Sequence, residues 1–459
     1  MRAGLINKFD KLSNEIIKDS TIGKLLGFCR TSVISILGRD KPCPYSYITL
    51  LILIGVLFIS LSLPQFANDR FGIGLIIIFC FIIFLLDFFT NKNISISFNS
   101  IDLLVMVFCM LSIISTFSSY FFKESSIGLL KYIAFFLFYF MIKTISLNSS
   151  KKTFLNLWWV LYICAVLVAI IGIYQYSIGI EPLATWEDPS FNSLHTRAYS
   201  TLGNPNLLAG YLLIILPVGI ILPFATKANL ILKLLSILAS FLISICLIFT
   251  GSRGGYLALA AQIIISIIIF LNFFIVRKGL INQTPIKIFL LLTITILFLI
   301  GLVYLFPLVK ERLSTIFTIR EYSSNNHRVN VWLACLKMLK DNFILGIGPG
   351  NSTFRLAYGL YMISGFDALA AYNIFLELAL ETGVLGYLTI IFIFIISFLK
   401  LHYLFWVKNE IFALGIFISL IGVLVHGMVD TILFRPQVFV PFWFLLASIA
   451  RLEDRKVKE

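Results

Sequence analysis

Long apolar runs recur along the whole chain, and they constrain its fold more than any other feature. Each is close to the roughly 20 residues that a helix needs to cross the hydrocarbon core of a membrane. Such runs must be helical, because backbone polar groups find no partners in lipid. The predicted fold class is all-α, a polytopic integral membrane protein. About twelve spans are predicted, at 48–64, 72–89, 101–119, 127–145, 155–177, 206–224, 229–250, 254–276, 286–308, 373–397, 411–433 and 437–450.

Composition excludes a soluble protein. Hydrophobic residues make up 59% of the 459 residues and charged residues only 13%, whereas a soluble domain carries about 25% charged residues.

The net charge of +14 is assigned to membrane orientation and contact with membrane lipid. No nucleic-acid partner is predicted, since no basic stripe alternates with exposed aromatic residues. The cysteines form no CxxC pair, so neither a metal nor another cofactor is expected.

The distribution of Lys and Arg predicts the orientation. Basic residues concentrate in the N-terminal segment, in alternate short loops and at the C-terminus, which makes both termini cytoplasmic and places the chain in the cytoplasmic (inner) membrane. Three regions follow: a cytoplasmic segment 1–47, a transmembrane domain 48–450 with a large extracytoplasmic loop 309–372, and a cytoplasmic tail 451–459. The basic stretch 14–38 is either an amphipathic surface helix or a disordered tail.

With this orientation, three marked helix starts point outward with their positive dipole ends. Asn204 precedes Pro205 as a helix cap, Arg253 follows a glycine turn, and Asn373 precedes Glu377 on one helical face. Arginine at a positive helix end is unfavourable unless it shares an anion, so Arg253 either binds a phosphate or carboxylate or serves as an anchor or ion pair. Glu377 is either a general acid or base or a member of a structural ion pair.

Further candidates surround these starts. His426 and Asp430 lie four residues apart, either as a catalytic pair or as a buried structural pair. Arg197, Arg328 and Arg435 occupy outer segments. The glycine run at 346–351 is read as a turn, because it does not follow the dinucleotide-binding pattern. Together these residues predict an outer cavity suited to a phosphate or diphosphate head group carried on a lipid.

Several motifs carry a family resemblance across about residues 195–440. They are GNPNLLAGY (203–211), TGSRGG (250–255), HRVNVW followed by LGIGPGN (327–351) and YNIFLELALETGVLGYL (372–388). With these motifs the sequence resembles the O-antigen ligase/polymerase superfamily of membrane proteins. Within it, the IctB-type group, labelled as bicarbonate transporters, is the most similar, through ATWEDP (184–189), GFDALAAYNIFLELALETG (365–383) and HGMVDT with RPQV (426–438).

The resemblance implies a glycan transferase that needs neither metal nor nucleotide. An acceptor would attack an undecaprenyl-diphosphate-linked glycan, and the arginines that hold the diphosphate fall on Arg253 and Arg328. The ligase signature begins with a histidine, but Tyr372 stands at that position here, although Asn373, Gly383 and Gly386 keep the spacing. The histidine proposed as the base in ligases is therefore absent, and the candidate substitutes are His426–Asp430 or Glu377.

Two functions follow as alternatives, with a non-catalytic scaffold as a third. The first is transfer or polymerisation of a lipid-linked saccharide at the extracytoplasmic face. The second, implied by the IctB-type resemblance, is a role in bicarbonate uptake. The predicted catalytic residues are Glu377, His426 and Asp430, and the predicted substrate-binding residues are Arg197, Asn204, Arg253, Arg328, Tyr372, Asn373 and Arg435.

Overall fold

The computed structural model describes residues 10–15, 44–63, 72–90, 94, 96–181, 196–278 and 324–453, and this part of the chain is helical without strands. The predicted span at 286–308, most of the stretch 14–38 and most of the tail 451–459 lie outside the described residues. The helices are α1 (Pro44–Ser62), α2 (Gly72–Thr90), α3 (Ser100–Ser118), α4 (Phe122–Asn148), α5 (Lys151–Ile178), α6 (Pro205–Ala225), α7 (Leu230–Phe249), α8 (Arg253–Lys278), α9 (Ser324–Asp341), α10 (Asn351–Gly359), α11 (Ile374–Trp406), α12 (Phe412–Gly427) and α13 (Pro436–Glu453).

The apolar runs coincide with these helices. Seven of the described helices, α3 to α8 and α11, are long and apolar enough to cross a membrane, and α1, α2 and α12 contain shorter apolar stretches. The chain is therefore a multi-pass membrane protein, whereas the count of twelve spans stays a prediction. The run predicted at 411–433 is shorter in the structure, because α12 ends at Gly427 and a 3₁₀ turn follows at Ile432–Phe434.

Helix α6 forms the centre of the bundle. In its most apolar window 83% of the residues are buried, against 17% in α8. Gly415 of α12 allows a close approach to α6, since a Cβ atom at this position would lie 3.1 Å from the Cα atom of Val218. Gln262 of α8 and Ser419 of α12 donate to backbone carbonyls of α6. Polar groups inside the bundle thus join helices to one another.

Helix α11 is broken near its start by a loop from the preceding segment. Gly383 has φ 70° and ψ −177°, which interrupts the helix. The backbone N–H of Val384 donates to Phe343 O (2.8 Å), and the N–H of Ile347 donates to Leu380 O (2.7 Å). The glycine run at 346–351 is part of this inserted loop, with positive φ at Gly346, Gly348 and Gly350.

Buried ion pairs tie the helices together at the end of the bundle opposite to the start of α11. Lys143 of α4 pairs with Asp102 of α3. Lys400 of α11 contacts Asp10 at 2.6 Å and Glu453 at 2.9 Å. These charges neutralise one another, so the search for a ligand site turns to the other end.

Candidate functional site

The starts of α6, α8 and α11 meet the end of α12 at one end of the bundle. Asn206, in the first turn of α6, donates through Nδ2 to the Oδ2 atom of Asp430 at 2.6 Å. Asn373, the residue before α11, donates through its own Nδ2 to Met428 O at 2.9 Å. The sequence prediction that these elements gather agrees with the contacts.

Hydrogen bonds hold Arg197 inside this region. Its Nε donates to Thr250 O and its Nη2 to the Oδ1 atom of Asn206, each at 2.8 Å. Only 8% of the residue is exposed. Arg197 therefore joins the loop before α6 to the end of α7, and a ligand would reach it less easily than it reaches the other arginines.

Arg328 of α9 faces Asp430 as an ion pair. The Nη2 and Oδ2 atoms are 3.8 Å apart, and the side chains are 20% and 15% exposed. This separation exceeds hydrogen-bond distance. The guanidinium of Arg328 is thus paired with Asp430 electrostatically, without a hydrogen bond to it.

Arg253, the first residue of α8, reaches the start of α9. Its Nη1 donates to Asn325 Oδ1 at 3.1 Å and to Ser324 Oγ at 3.3 Å. These residues lie about one helical turn, roughly 5 Å along the axis, before Arg328. Arg253 thus contacts α9 about one turn before Arg328. We name Arg197, Asn206, Arg253, Arg328 and Asp430 the arginine–aspartate cluster.

The two members of the predicted His426–Asp430 pair have different partners. Asp430 is outside α12, because the helix ends at Gly427, and helical spacing therefore does not place the two side chains together. The imidazole Nε2 of His426 is 3.5 Å from the Oγ atom of Ser252. Its Nδ1 has no partner among the described residues. The geometry corrects the sequence interpretation of a hydrogen-bonded His–Asp pair.

Tyr372 stands beside the cluster in a left-handed conformation, with φ 51°. Its ring meets the His327 ring edge to face, with centroids 5.7 Å apart. Burial raises the pKa of the Tyr372 phenol, and the carboxylate of Asp430 raises it further, while Arg328 lowers it. The phenol is therefore protonated at neutral pH and serves as a hydrogen-bond donor or acceptor, without acting as a strong base.

The two carboxylates of α11, Glu377 and Glu381, are buried inside the bundle. Glu377 is 0% exposed and accepts a hydrogen bond from the backbone N–H of Ala371. Glu381 accepts from the Tyr132 hydroxyl and from the N–H of Gly350, the latter at 2.8 Å. Glu381 thus holds the inserted loop against α4 and α11. Glu377 has one oxygen, Oε1, without a hydrogen-bond partner among the described residues.

The remaining predicted residues have separate roles. Asn204 caps α6, its Oδ1 accepting from the N–H groups of Asn206 (2.9 Å) and Leu207 (3.2 Å), and the Oδ1 of Asn373 caps α11 in the same way. Arg435 is exposed before α13, and its side chain makes no hydrogen bond or ion pair within the described ranges. The sequence interpretation missed Asn206 and Ser252, although both stand inside the quoted motifs, because their partners Asp430 and His426 are distant along the chain.

No group of three or more His, Cys, Asp or Glu residues in the described part of the chain could hold a metal ion. The cluster instead combines three guanidinium groups, one amide and one carboxylate, with Asn206 and Arg253 in the first turns of α6 and α8 and Arg328 near the start of α9. Cationic donors at helix N-termini form an environment that favours an anion. Fold and site together define a multi-pass helical membrane protein with a candidate anion-binding site at one end of the bundle.

Comparison with protein families agrees with this class. Residues 238–391 match the family model described as O-antigen ligase, which supports the superfamily to which the sequence motifs pointed. The matched residues include Arg253, Arg328, Tyr372, Asn373 and Glu377, whereas Arg197, Asn204, His426, Asp430 and Arg435 lie outside them. No curated protein matches the chain. The closer resemblance to the IctB-type group stays a prediction.

Proposed function

We propose that this protein binds a lipid-diphosphate-linked saccharide at the extracytoplasmic face of the membrane and transfers or polymerises its glycan. The match of residues 238–391 to the O-antigen ligase family supports a membrane glycan ligase or polymerase. The observation that carries the proposal is the contact of Arg253 with Ser324 and Asn325, about one helical turn before Arg328 on α9. The bias of Lys and Arg towards the other side supports the orientation.

The chemistry needs stabilisation of a departing diphosphate. An acceptor hydroxyl attacks the anomeric carbon of the saccharide, the bond from this carbon to the diphosphate oxygen breaks, and the lipid diphosphate leaves with the bonding electrons. Negative charge therefore develops on the leaving group, where preorganised cationic donors stabilise it most. Arg253 and Arg328 are the residues assigned to this task, with the helix starts of α6 and α8 adding positive potential.

A base must take the proton of the acceptor hydroxyl, and Asp430 suits this role best among the three predicted residues. Glu377 is 0% exposed and His426 only 1%, so that an acceptor would not reach either group directly. The Asp430 side chain is 15% exposed and lies next to Arg328. Tyr372 does not supply the missing base, because its raised pKa keeps the phenol protonated.

The proposal is tested by transfer assays in proteoliposomes with an undecaprenyl-diphosphate-linked glycan and an acceptor saccharide. Arg253→Ala and Arg328→Ala should each lower the rate about a hundredfold, the usual order for loss of one charge-stabilising group. Arg355→Ala is the matched control, since this exposed arginine on α10 lies outside the cluster; its rate should equal that of wild type. Wild-type rates in both cluster variants would contradict the proposal.

A further inference from the structure

Asn206 connects two opposite charges of the cluster, and this role deepens the function proposed above and rests on it. Its Oδ1 accepts from the guanidinium of Arg197 at 2.8 Å, and its Nδ2 donates to Asp430 at 2.6 Å. A guanidinium only donates and an ionised carboxylate only accepts, whereas an amide does both. The two partners therefore set the orientation of the amide.

Both oxygens of Asp430 are consequently fixed. The backbone N–H of Thr431 donates to Oδ1 at 2.8 Å, and Asn206 holds Oδ2. Arg328 is the next charged group, at 3.8 Å from Oδ2. A free carboxylate beside an arginine forms two parallel hydrogen bonds with it at 2.7 to 2.9 Å. Asp430 does not reach that distance, and its carboxylate instead accepts hydrogen bonds from Asn206 and Thr431.

We propose that Asn206 is a positioning residue that acts through Asp430: it holds the carboxylate away from close bidentate pairing with Arg328, and thereby leaves the N–H donors of Arg328 to the diphosphate of the substrate. Without Asn206, the Asp430 carboxylate would close on Arg328. It would then compete with the diphosphate for the same donors. Substrate affinity, rather than fold stability, is the quantity that Asn206 controls.

A double-mutant cycle on binding tests this role. Purified wild type, Asn206→Ala, Asp430→Ala and the double variant N206A/D430A are titrated with undecaprenyl diphosphate in nanodiscs, without acceptor. Asn206→Ala should raise the Kd about tenfold, the order expected for loss of one hydrogen bond to a charged group. Asp430→Ala should bind at least as tightly as wild type, because the competing anion is gone. The double variant should bind like Asp430→Ala, so removing Asp430 rescues the loss.

The controls separate positioning from general damage. Asn206→Leu keeps the side-chain bulk and should repeat the Kd change if Asn206→Ala does not fold. Asn351→Ala removes an exposed asparagine of α10 and should leave the Kd unchanged. A Kd that rises by the same factor with and without Asp430, or does not rise in either Asn206 variant, would overturn the inference.

The outcomes also distinguish this inference from the proposed function. A wild-type protein that does not bind undecaprenyl diphosphate contradicts the proposed function before any variant is compared. Wild-type binding combined with independent effects of Asn206 and Asp430 contradicts the positioning role alone. Rescue by Asp430→Ala supports both, because a merely structural asparagine would not regain ligand affinity when a second side chain is removed.

Discussion

At the scale of single residues, hydrogen bonding separates the charges that hold the fold from those that could meet a ligand. Glu381 is 1% exposed and has a partner for each oxygen, the Tyr132 hydroxyl and the N–H of Gly350. Asp430 is also hydrogen-bonded but keeps 15% of its side chain exposed beside Arg328. The Glu381 carboxylate, buried in an apolar helix, is therefore structural.

Glu381→Ala should destabilise the protein strongly. It leaves the partly buried N–H of Gly350 and the buried hydroxyl of Tyr132 without an acceptor, and a buried polar group without a partner costs about 1 to 3 kcal/mol. The measurement is thermal unfolding in detergent. Glu410→Ala is the control, since its partner Lys151 is 53% exposed and a surface ion pair contributes about 0 to 1 kcal/mol. Equal unfolding temperatures for the two variants would refute the assigned role of Glu381.

Residue types alone predicted part of the site. Asn204 caps α6 as the sequence pattern indicates, whereas Asn373, which the sequence interpretation placed on the face of its helix, is the residue that caps α11. The role of Asn206 was not predictable, because it depends on Arg197 in the loop before α6 and on Asp430, which approaches Asn206 through the packing of α6 against α12. His426 illustrates the same limit: helical spacing suggested Asp430 as its partner, but the helix ends before that residue and Ser252 is the neighbour.

At the scale of elements, the break in α11 explains the glycines that flank the site. The inserted loop forms backbone hydrogen bonds to both sides of Gly383. A Cβ atom at Gly383 would collide with the backbone carbonyl of Ile344, and the φ of 70° is one that other residues rarely adopt. The sequence identified a turn at 346–351 but not its insertion into a helix, since hydropathy reads α11 as one continuous apolar run.

Gly383→Ala should therefore disrupt the start of α11. Steric overlap and backbone strain together should cost at least about 3 kcal/mol, visible as a lower fraction of monodisperse protein and a lower unfolding temperature in detergent. Gly359→Ala provides the comparison, because a Cβ atom there meets nothing within 4 Å and its φ is not positive. An alanine at 383 that behaves like the alanine at 359 would argue against the broken helix.

At the scale of the whole molecule, hydropathy predicted the positions of the helices because lipid imposes the same requirement on every span. The side chains must be apolar, and every backbone N–H and C=O group must be hydrogen-bonded within the helix. No comparable requirement determines which residues form the site. Its residues come from α6, α8, α9 and the segment after α12, which are distant along the chain. Their meeting depends on helix packing, and the sequence supplied the residue types and the shared end but not the contacts.

The distribution of buried charge over the molecule also separates the two functions raised by the resemblance. An ion path needs polar groups through the middle of the membrane. In the described bundle, Lys143 and Lys400 are paired with carboxylates at the end opposite to the cluster, and the buried core of α6 is lined by apolar residues such as Leu212 and Ile215.

Purified protein in sealed liposomes should therefore accumulate no labelled bicarbonate above protein-free vesicles. Saturable uptake that Arg328→Ala abolishes would instead favour bicarbonate transport, and would make the cluster an entry site for that anion rather than a diphosphate site.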